Sequence, residues 1–391
     1  HAINWCPRCE TAIADAEGEY ETRQGMLYFI KFKLENNKFL TIATTRPELL
    51  PACVTVAVHP NDERYRQYFG KKILVPLVER KVKIIAEEMV DPAFGTGVVM
   101  ICTYGDKADV KCVAKHHLPI IMCINENGKM NENAGKYAGL TVNEAKKAMA
   151  RDLEIGGLLE KTERIQQDVG VCWRCKTPIE ILERKQWFMK TRVLTDDVEK
   201  NAFEITWYPD YMKMRLIDWA KSLDWDWVIS RQRVFATPIP IWYCEKCGEI
   251  ILAEPDWLPI DPRSESPKID GCPKCGSSGF IPERDVLDTW FDSSITCAIH
   301  AGWPDRKDWR RLFPADLHPS GFDIIRTWAY YLMVRHLALF NEKPYKGCLI
   351  NGMVLGSDGR KMSKSLGNFI PTPEVFSKYG ADATRQWAAS G

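Results

Sequence analysis

The chain has 391 residues, of which 45% are hydrophobic and 27% charged, and its formal net charge is +1. That length calls for roughly two or three compact units, and the apolar content excludes a disordered chain. The near-neutral charge argues against a strongly basic nucleic-acid binder, no apolar run approaches the roughly 20 residues that span a bilayer, and residues 1–9 have no signal-peptide character, so a cytoplasmic protein without a membrane partner is expected.

Cys6-Pro7-Arg8-Cys9 opens the chain as the first of four Cys-x-x-Cys pairs, which take up eight of the fourteen cysteines. In so long a chain this spacing reads as metal ligation in a reducing cytosol rather than as a disulfide scaffold. Short β-like runs follow at Met26–Leu34, Phe39–Thr44, Val54–His59, Lys72–Val78, Lys81–Ile85, Gly95–Cys102 and Pro119–Ile124, separated by turn signals such as Glu35-Asn36-Asn37. Many short strands at this spacing predict a β-barrel. Thr141-Val142-Asn143-Glu144 reads as a capping box. The pattern after it predicts a helix of about five turns, with Ala145, Ala148, Met149 and Leu153 facing inward and Gly156-Gly157 ending it. Cys172 and Cys175 form the next pair. An ion shared with Cys6 and Cys9 would pin together the segments that enter and leave the β-rich module, although spacing alone also allows each pair to stand free.

The second half changes character. Helical patterns at Pro209–Leu223 and Asp323–Phe340 alternate with strand-like runs such as Lys346–Val354, which predicts a parallel α/β sheet. The helix at Asp323–Phe340 is expected to bury Ile324, Trp328, Leu332 and Leu339. Between these patterns stand Cys244-x-x-Cys247-Gly248 and Cys272-x-x-Cys275-Gly276. Each tight turn aims two thiolates at one ion, and the closed four-sulfur set predicts a structural zinc with no open position. The remaining cysteines, Cys53, Cys102, Cys112, Cys123, Cys297 and Cys348, read as small buried hydrophobes. Gly359–Asn368 offers two lysines and two serines in a glycine-bounded loop. Composition alone makes that a solvated basic loop, and its donors also suit phosphate oxygens.

The string Lys361-Met362-Ser363-Lys364-Ser365 resembles the signature loop of class I aminoacyl-tRNA synthetases. Asp285–Ser294 is similar to the segment lining the amino-acid pocket of the valine, isoleucine and leucine enzymes, and Trp225–Arg233 to the start of the second half of their nucleotide fold. Asn4–Glu17 resembles the lead into their inserted editing module. Thr44-Thr45-Arg46-Pro47-Glu48 and Gly105–Asp109 resemble that module's active site. Gly321–Trp328, with its Asp-Ile-Ile-x-x-Trp pattern, looks like the valine branch, and Asp288-Thr289-Trp290-Phe291 also looks valine-like, in its archaeal rather than bacterial form.

The resemblance implies an α/β fold: a partial Rossmann-like class I synthetase catalytic core with an inserted β-barrel editing domain and zinc ribbons. Residues 1–22 and 166–190 would be a first zinc-binding stalk and 23–165 the editing domain. Residues 191–243 and 281–372 would be the second half of the catalytic domain, 244–280 a zinc ribbon, and 373–391 the start of a stem-contact helical region. It further implies ATP-dependent activation of valine, charging of tRNA(Val), and editing hydrolysis of Thr-tRNA(Val) by a monomer. ATP, with Mg as its ion, would meet Gly321, Asp323, Met353, Val354, Lys361, Met362, Ser363 and Lys364, with Lys361 and Lys364 catalytic. Valine would pack against Trp290, Ile324 and Trp328. Editing would use Thr44, Thr45, Arg46, Asp106 and Asp109, with Asp109 receiving the substrate's α-amino group. As a surface carboxylate, Asp109 would be replaceable by alanine for within roughly 0.5 kcal/mol. Two structural zinc ions would sit on Cys6, Cys9, Cys172 and Cys175, and on Cys244, Cys247, Cys272 and Cys275. The family's His-Ile-Gly-His-type element and its anticodon-binding domain are not found, so the chain is expected to be a fragment that edits but does not activate valine alone. An isoleucyl enzyme and a trans-acting deacylase are the alternatives.

Overall fold

The computed structural model describes residues 2–364 and 367–390. It divides into two compact units, residues 1–188 with 228–286, and residues 189–227 with 287–391.

The first unit is built on strands. β1 (Ala2–Cys6), β2 (Thr11–Ile13) and β10 (Glu180–Glu183) make a small antiparallel sheet with β1 central. A larger seven-stranded sheet contains β3 (Gly18–Leu34), β4 (Phe39–Thr44), β5 (Cys53–Val58), β6 (Lys72–Val75), β7 (Arg80–Ala86), β8 (Val98–Cys102) and β9 (Leu159–Cys172). Its order is β4-β3-β6-β7-β5-β8, with β9 on β3. The end strands β4 and β8 approach each other, so the sheet curls. β5, Cys-Val-Thr-Val-Ala-Val, is buried at every position. It reads as a continuous apolar run because both its faces are covered. Cys53, Val56 and Val58 face the main core, while Val54 and Ala57 pack with Cys112 and Val113 of helix α1 (Lys107–Lys115). The first half of β3 pairs with β9 as a long ribbon, from Gly18 opposite Cys172 to Leu27 opposite Glu163, which brings the two cysteine pairs at its base together.

Helix α2 (Val142–Ile155) starts as predicted. Thr141 Oγ1 accepts the Glu144 N–H and Glu144 Oε2 accepts the Thr141 N–H. It buries Ala145, Met149 and Leu153, and the last two side chains contribute about 2 kcal/mol each. It runs 14 residues, about four turns rather than five. Gly157 then takes φ 65°, which ends it. Pro119–Ile124 is not a strand and makes only an isolated bridge from Ile124 to Met130. Side chains satisfy its backbone instead: Thr103 Oγ1 accepts the Ile121 N–H, and Asn131 and Asn133 both donate to the Met122 carbonyl.

The second unit contains a parallel three-stranded sheet, with Tyr345–Asn351 between Thr206–Tyr208 and Ala315–Gly321. Helices Thr195–Glu204, Met212–Ser222 and Tyr330–Phe340 accompany it. The expected stripe on Asp323–Phe340 is only partly right. A π turn at Ile325–Ala329 adds a residue to the winding and shifts the phase, so Ile325 and Ala329 are buried while Ile324 and Trp328 are half-buried. Leu332 is buried as expected. Leu339 is 46% exposed, in the last turn before Asn341 ends the helix at φ 55°. The aromatic residues here are packing groups: Trp227 stacks on Tyr331 with ring centroids 3.7 Å apart, and Trp303 and Trp309 pack on Phe340.

Candidate functional site

The first unit holds a cleft of about 1030 Å³ whose lining includes Thr44, Thr45, Arg46, Asp106 and Asp109. One wall forms where β4 ends. Thr44 Oγ1 accepts the Arg46 N–H at 3.0 Å, and Pro47 starts the short helical turn Pro47–Ala52. Arg46 donates through Nε to Glu48 Oε1 (2.9 Å), through Nη1 to the Gly105 carbonyl (3.2 Å) and through Nη2 to Glu180 Oε2 (2.7 Å). Burial disfavours its charge, but the two carboxylates overcome that and hold the guanidinium above its ordinary range. The opposite wall is the start of α1. Asp106 caps the helix, its Oδ1 accepting the Asp109 N–H at 2.8 Å.

Asp109 turns back to accept the Cys102 N–H at 3.0 Å and is only 9% exposed. The expectation of a freely replaceable surface carboxylate is therefore wrong: the helix start folds over the end of β8 and buries the group. Burial first, and then the charge of Asp106, pushes its carboxyl well above the ordinary range, against the opposing pull of the Cys102 N–H and Arg46. Sequence reasoning named Glu48 only as the end of its motif, without a role, and missed Lys146 and Glu180. Glu48 is 1% exposed, and its Oε2 lies 3.7 Å from Lys146 Nζ of α2. Glu180 joins from β10. Lys146 and Glu180 left no signal in the sequence, because each arrives from a distant element.

The eight metal-type cysteines form two groups, and in each the four Sγ atoms lie within 4.8 Å of one another. Cys6 and Cys175 are 3.4 Å apart, Cys244 and Cys275 3.5 Å, and Cys247 and Cys272 3.6 Å. A tetrahedral zinc with 2.3 Å bonds spaces its sulfurs about 3.8 Å apart, so both groups fit that ion. Burial raises the Cys244 thiol, but the N–H groups of Cys247 and Lys246 and the neighbouring thiols outweigh it and bring it to about 6. At Cys247 the Glu249 N–H pulls down, but burial and those thiols push it up in turn, so the packed group holds its first thiolate at Cys244. The remaining cysteines are buried, as predicted.

In the second unit, Gly321 ends one parallel strand beside Asn351, the end of its neighbour, with Met353 and Val354 just beyond. These carboxyl ends are where ligands bind in open α/β sheets. Lys361 pairs with Asp323 there. The loop turns at Gly359 with φ 72°, and the Gly356 N–H donates to the Arg360 carbonyl. Asn368 fastens its return by donating to Asp358 and accepting the Ser363 N–H. Met362 is half-buried in the loop, and Lys364 lies over the Phe369 ring at 5.9 Å. Ser365 lies outside the described residues. Trp290 is the second residue of the short helix Thr289–Ser293, its N–H donating to the capping Asp288, and Trp328 Nε1 donates to the Ser293 carbonyl. Ile324 lies in the turn before Trp328.

The family profile described as tRNA synthetases class I (I, L, M and V) matches residues 1–391. A valine–tRNA ligase of Methanopyrus kandleri is 57% identical, over 100% of this chain and 43% of its own length. One from Methanothermobacter thermautotrophicus is 56% identical, over 100% and 44%. The chain thus spans less than half the length of these curated relatives. Among solved structures, an Agrobacterium radiobacter LeuRS in a ternary complex with tRNA and LeuAMS shares 18% identity at a TM-score of 0.41, covering 97% of this chain and 52% of its own.

Proposed function

Because the chain belongs to the class I tRNA synthetases of the I, L, M and V group, we propose that it carries the core of an ATP-dependent valine–tRNA ligase, with a separate cleft that edits Thr-tRNA(Val). The ligase reading rests on one observation: the Lys361–Lys364 loop lies at the carboxyl ends of the parallel strands, where Lys361 meets Asp323. The choice of valine rests on the relatives at 53–57% identity.

In this reading Lys361 and Lys364 neutralise charge that builds on the phosphates as the amino-acid carboxylate attacks the α-phosphorus, releasing pyrophosphate. Gly321, Asp323, Met353, Val354, Met362 and Ser363 frame the nucleotide, and Mg travels with it. Trp290, Ile324 and Trp328 bound the amino-acid side chain, and isoleucine is excluded by overpacking.

A hydrophobic pocket rejects threonine only weakly, so a second selection must use the hydroxyl. The curled sheet is the editing barrel, and its cleft supplies that step. Asp109 holds the α-ammonium of the esterified amino acid. Arg46, fixed by Glu48 and Glu180, is a positioning residue that sets the cleft floor, and Thr44 and Thr45 offer hydroxyls to the substrate's ribose or to water. The two four-sulfur groups hold zinc, which fixes the adjoining strands and takes no part in either reaction.

The test is a pair of assays on the protein carrying this chain. Amino-acid-dependent ATP–pyrophosphate exchange should favour valine over isoleucine, and Thr-tRNA(Val) should be deacylated while Val-tRNA(Val) is spared. Preference for isoleucine would overturn the valine assignment. Equal hydrolysis of both esters would overturn the editing assignment.

A further inference from the structure

On the opposite end of α1 from Asp106 and Asp109 lies a third group of metal-type side chains, apart from the two cysteine sets. Cys112 and His116 are one helical turn apart, so both project from one face of α1. Glu87, directly after β7, meets them there. One ligand atom of each, the glutamate oxygen, the thiol sulfur and the imidazole nitrogen, lies within 4.8 Å of the others. Glu87 and Cys112 are buried, at 5% and 1% exposure. Glu87 is also held from behind, its N–H donating to the Val58 carbonyl at 2.9 Å. His116 Nε2 is 2.6 Å from Glu87 Oε2. The position facing both glutamate oxygens is taken by a cation of the protein's own, the Lys115 ammonium at 2.9 and 3.1 Å.

We propose that Glu87, Cys112 and His116 form a third divalent-metal site, selective for zinc-type ions. One sulfur, one imidazole nitrogen and one carboxylate oxygen is a donor set that suits zinc or cobalt and disfavours magnesium or calcium. Three protein ligands leave a fourth position for water. Lys115 is a competing cation on a mobile stem: its side chain is 59% exposed, so it can swing into solvent when a metal arrives. With one thiolate in place of four, and with Lys115 competing, affinity is lower than at the four-sulfur sites. A bound ion would fasten the carboxyl end of α1 to the segment after β7, and Met89, Val90 and Asp91 of that segment line the cleft.

The test uses protein already loaded with zinc at both cysteine sets, dialysed against micromolar free zinc and then assayed for metal per chain. Three ions are expected for the unaltered protein and two for His116→Gln, a half-exposed position whose change leaves the fold intact by circular dichroism. Cys112→Ser should likewise hold two. In the same zinc-loaded protein, added cobalt should give a thiolate-to-metal absorption band that His116→Gln abolishes. Lys115→Ala should tighten the third ion several-fold by removing its competitor. Two ions in the unaltered protein would overturn the site. So would a third ion retained by His116→Gln, or weaker binding in Lys115→Ala, since the cluster would then be an ion pair or the metal would lie elsewhere.

Discussion

Asp109→Asn separates what the buried carboxyl costs the fold from what it gives the cleft. Asp109 accepts one backbone N–H, from Cys102, and its own N–H is capped by Asp106. Asparagine can present its oxygen to Cys102 and keep both bonds. What it removes is a carboxyl that burial and Asp106 push well above the ordinary range. A raised folded value means that the folded state holds this proton more tightly than the unfolded chain does. The group's contribution to stability is therefore full below the ordinary carboxylate range and is lost as pH rises through the folded value. At neutral pH the asparagine variant should gain about 1 kcal/mol, which raises Tm by roughly 2–4 °C. Asp109→Ala should do the reverse. It leaves the Cys102 N–H buried and unpaired, a loss of about 1–3 kcal/mol. Both should lose a charge-assisted contact to the substrate ammonium, about 1.5–3 kcal/mol, and so deacylate Thr-tRNA(Val) roughly 10- to 150-fold more slowly. Calorimetry and deacylation on the same preparations read both. An asparagine variant that is as destabilised as the alanine variant, or that hydrolyses at the original rate, would refute the reasoning.

Lys364→Ala should lower the rate of pyrophosphate exchange more than it weakens ATP binding, because the charge it meets is largest in the transition state; equal losses would argue for simple binding. His318 and His336 are buried, and burial holds both near 4, below the usual histidine value. Each must stay neutral to remain folded, so stability should fall as pH drops from about 6.5 toward 4, by roughly 3 kcal/mol per histidine. His318→Phe should flatten half of that acid limb in urea titrations across pH. Removing zinc with a strong chelator should loosen the residues around both cysteine groups, read by hydrogen exchange, while the curled sheet stays protected; collapse of the whole first unit in one step would show that the metal is needed for folding itself.

The elements most legible in sequence were those in which local chemistry and packing agree. The Thr141–Glu144 cap, the inner face of α2 and the cysteine knuckles need only residues a few positions apart, and each is found as written. Phe39–Thr44 was readable for the same reason. Pro119–Ile124 misled because an apolar run satisfies its backbone just as well through Asn131, Asn133 and Thr103 as through a ladder, and pattern cannot see those partners. Ile324 and Trp328 misled because the π turn at Ile325–Ala329 leaves no trace in a 3.6-residue period, and Leu339 because it falls in the helix's exposed last turn. In the cleft, Thr44, Arg46, Asp106 and Asp109 were named by motif, yet their depth was not. Glu48, Lys146 and Glu180 complete the charge pattern only after the chain has folded.

That completion explains how the cleft keeps its shape. Its side chains are held from two cores at once. From the large sheet come Thr44, Arg46 and Asp109. From the small sheet, whose Cys6 packs against Cys172 at the end of β9, come Glu180 to Arg46 and Tyr104's partner Glu183, while Asp15, just beyond β2, pairs with Lys107. Trp5 Nε1 adds a bond to the Glu126 carbonyl. Arg46 is the joint between them, since its planar fork has donors for both Glu48 and Glu180 in one fixed geometry. Lysine in its place would keep the charge and lose the fork, so it could hold one carboxylate at full strength but not both. The small sheet buries Ile3, Trp5, Ile13 and Leu182, and the sulfur cluster and these polar bonds add to that packing where the sheet meets the cleft. A metal held by Cys6, Cys9, Cys172 and Cys175 would therefore act on the cleft through Glu180 and Arg46, setting where the guanidinium stands relative to Asp109.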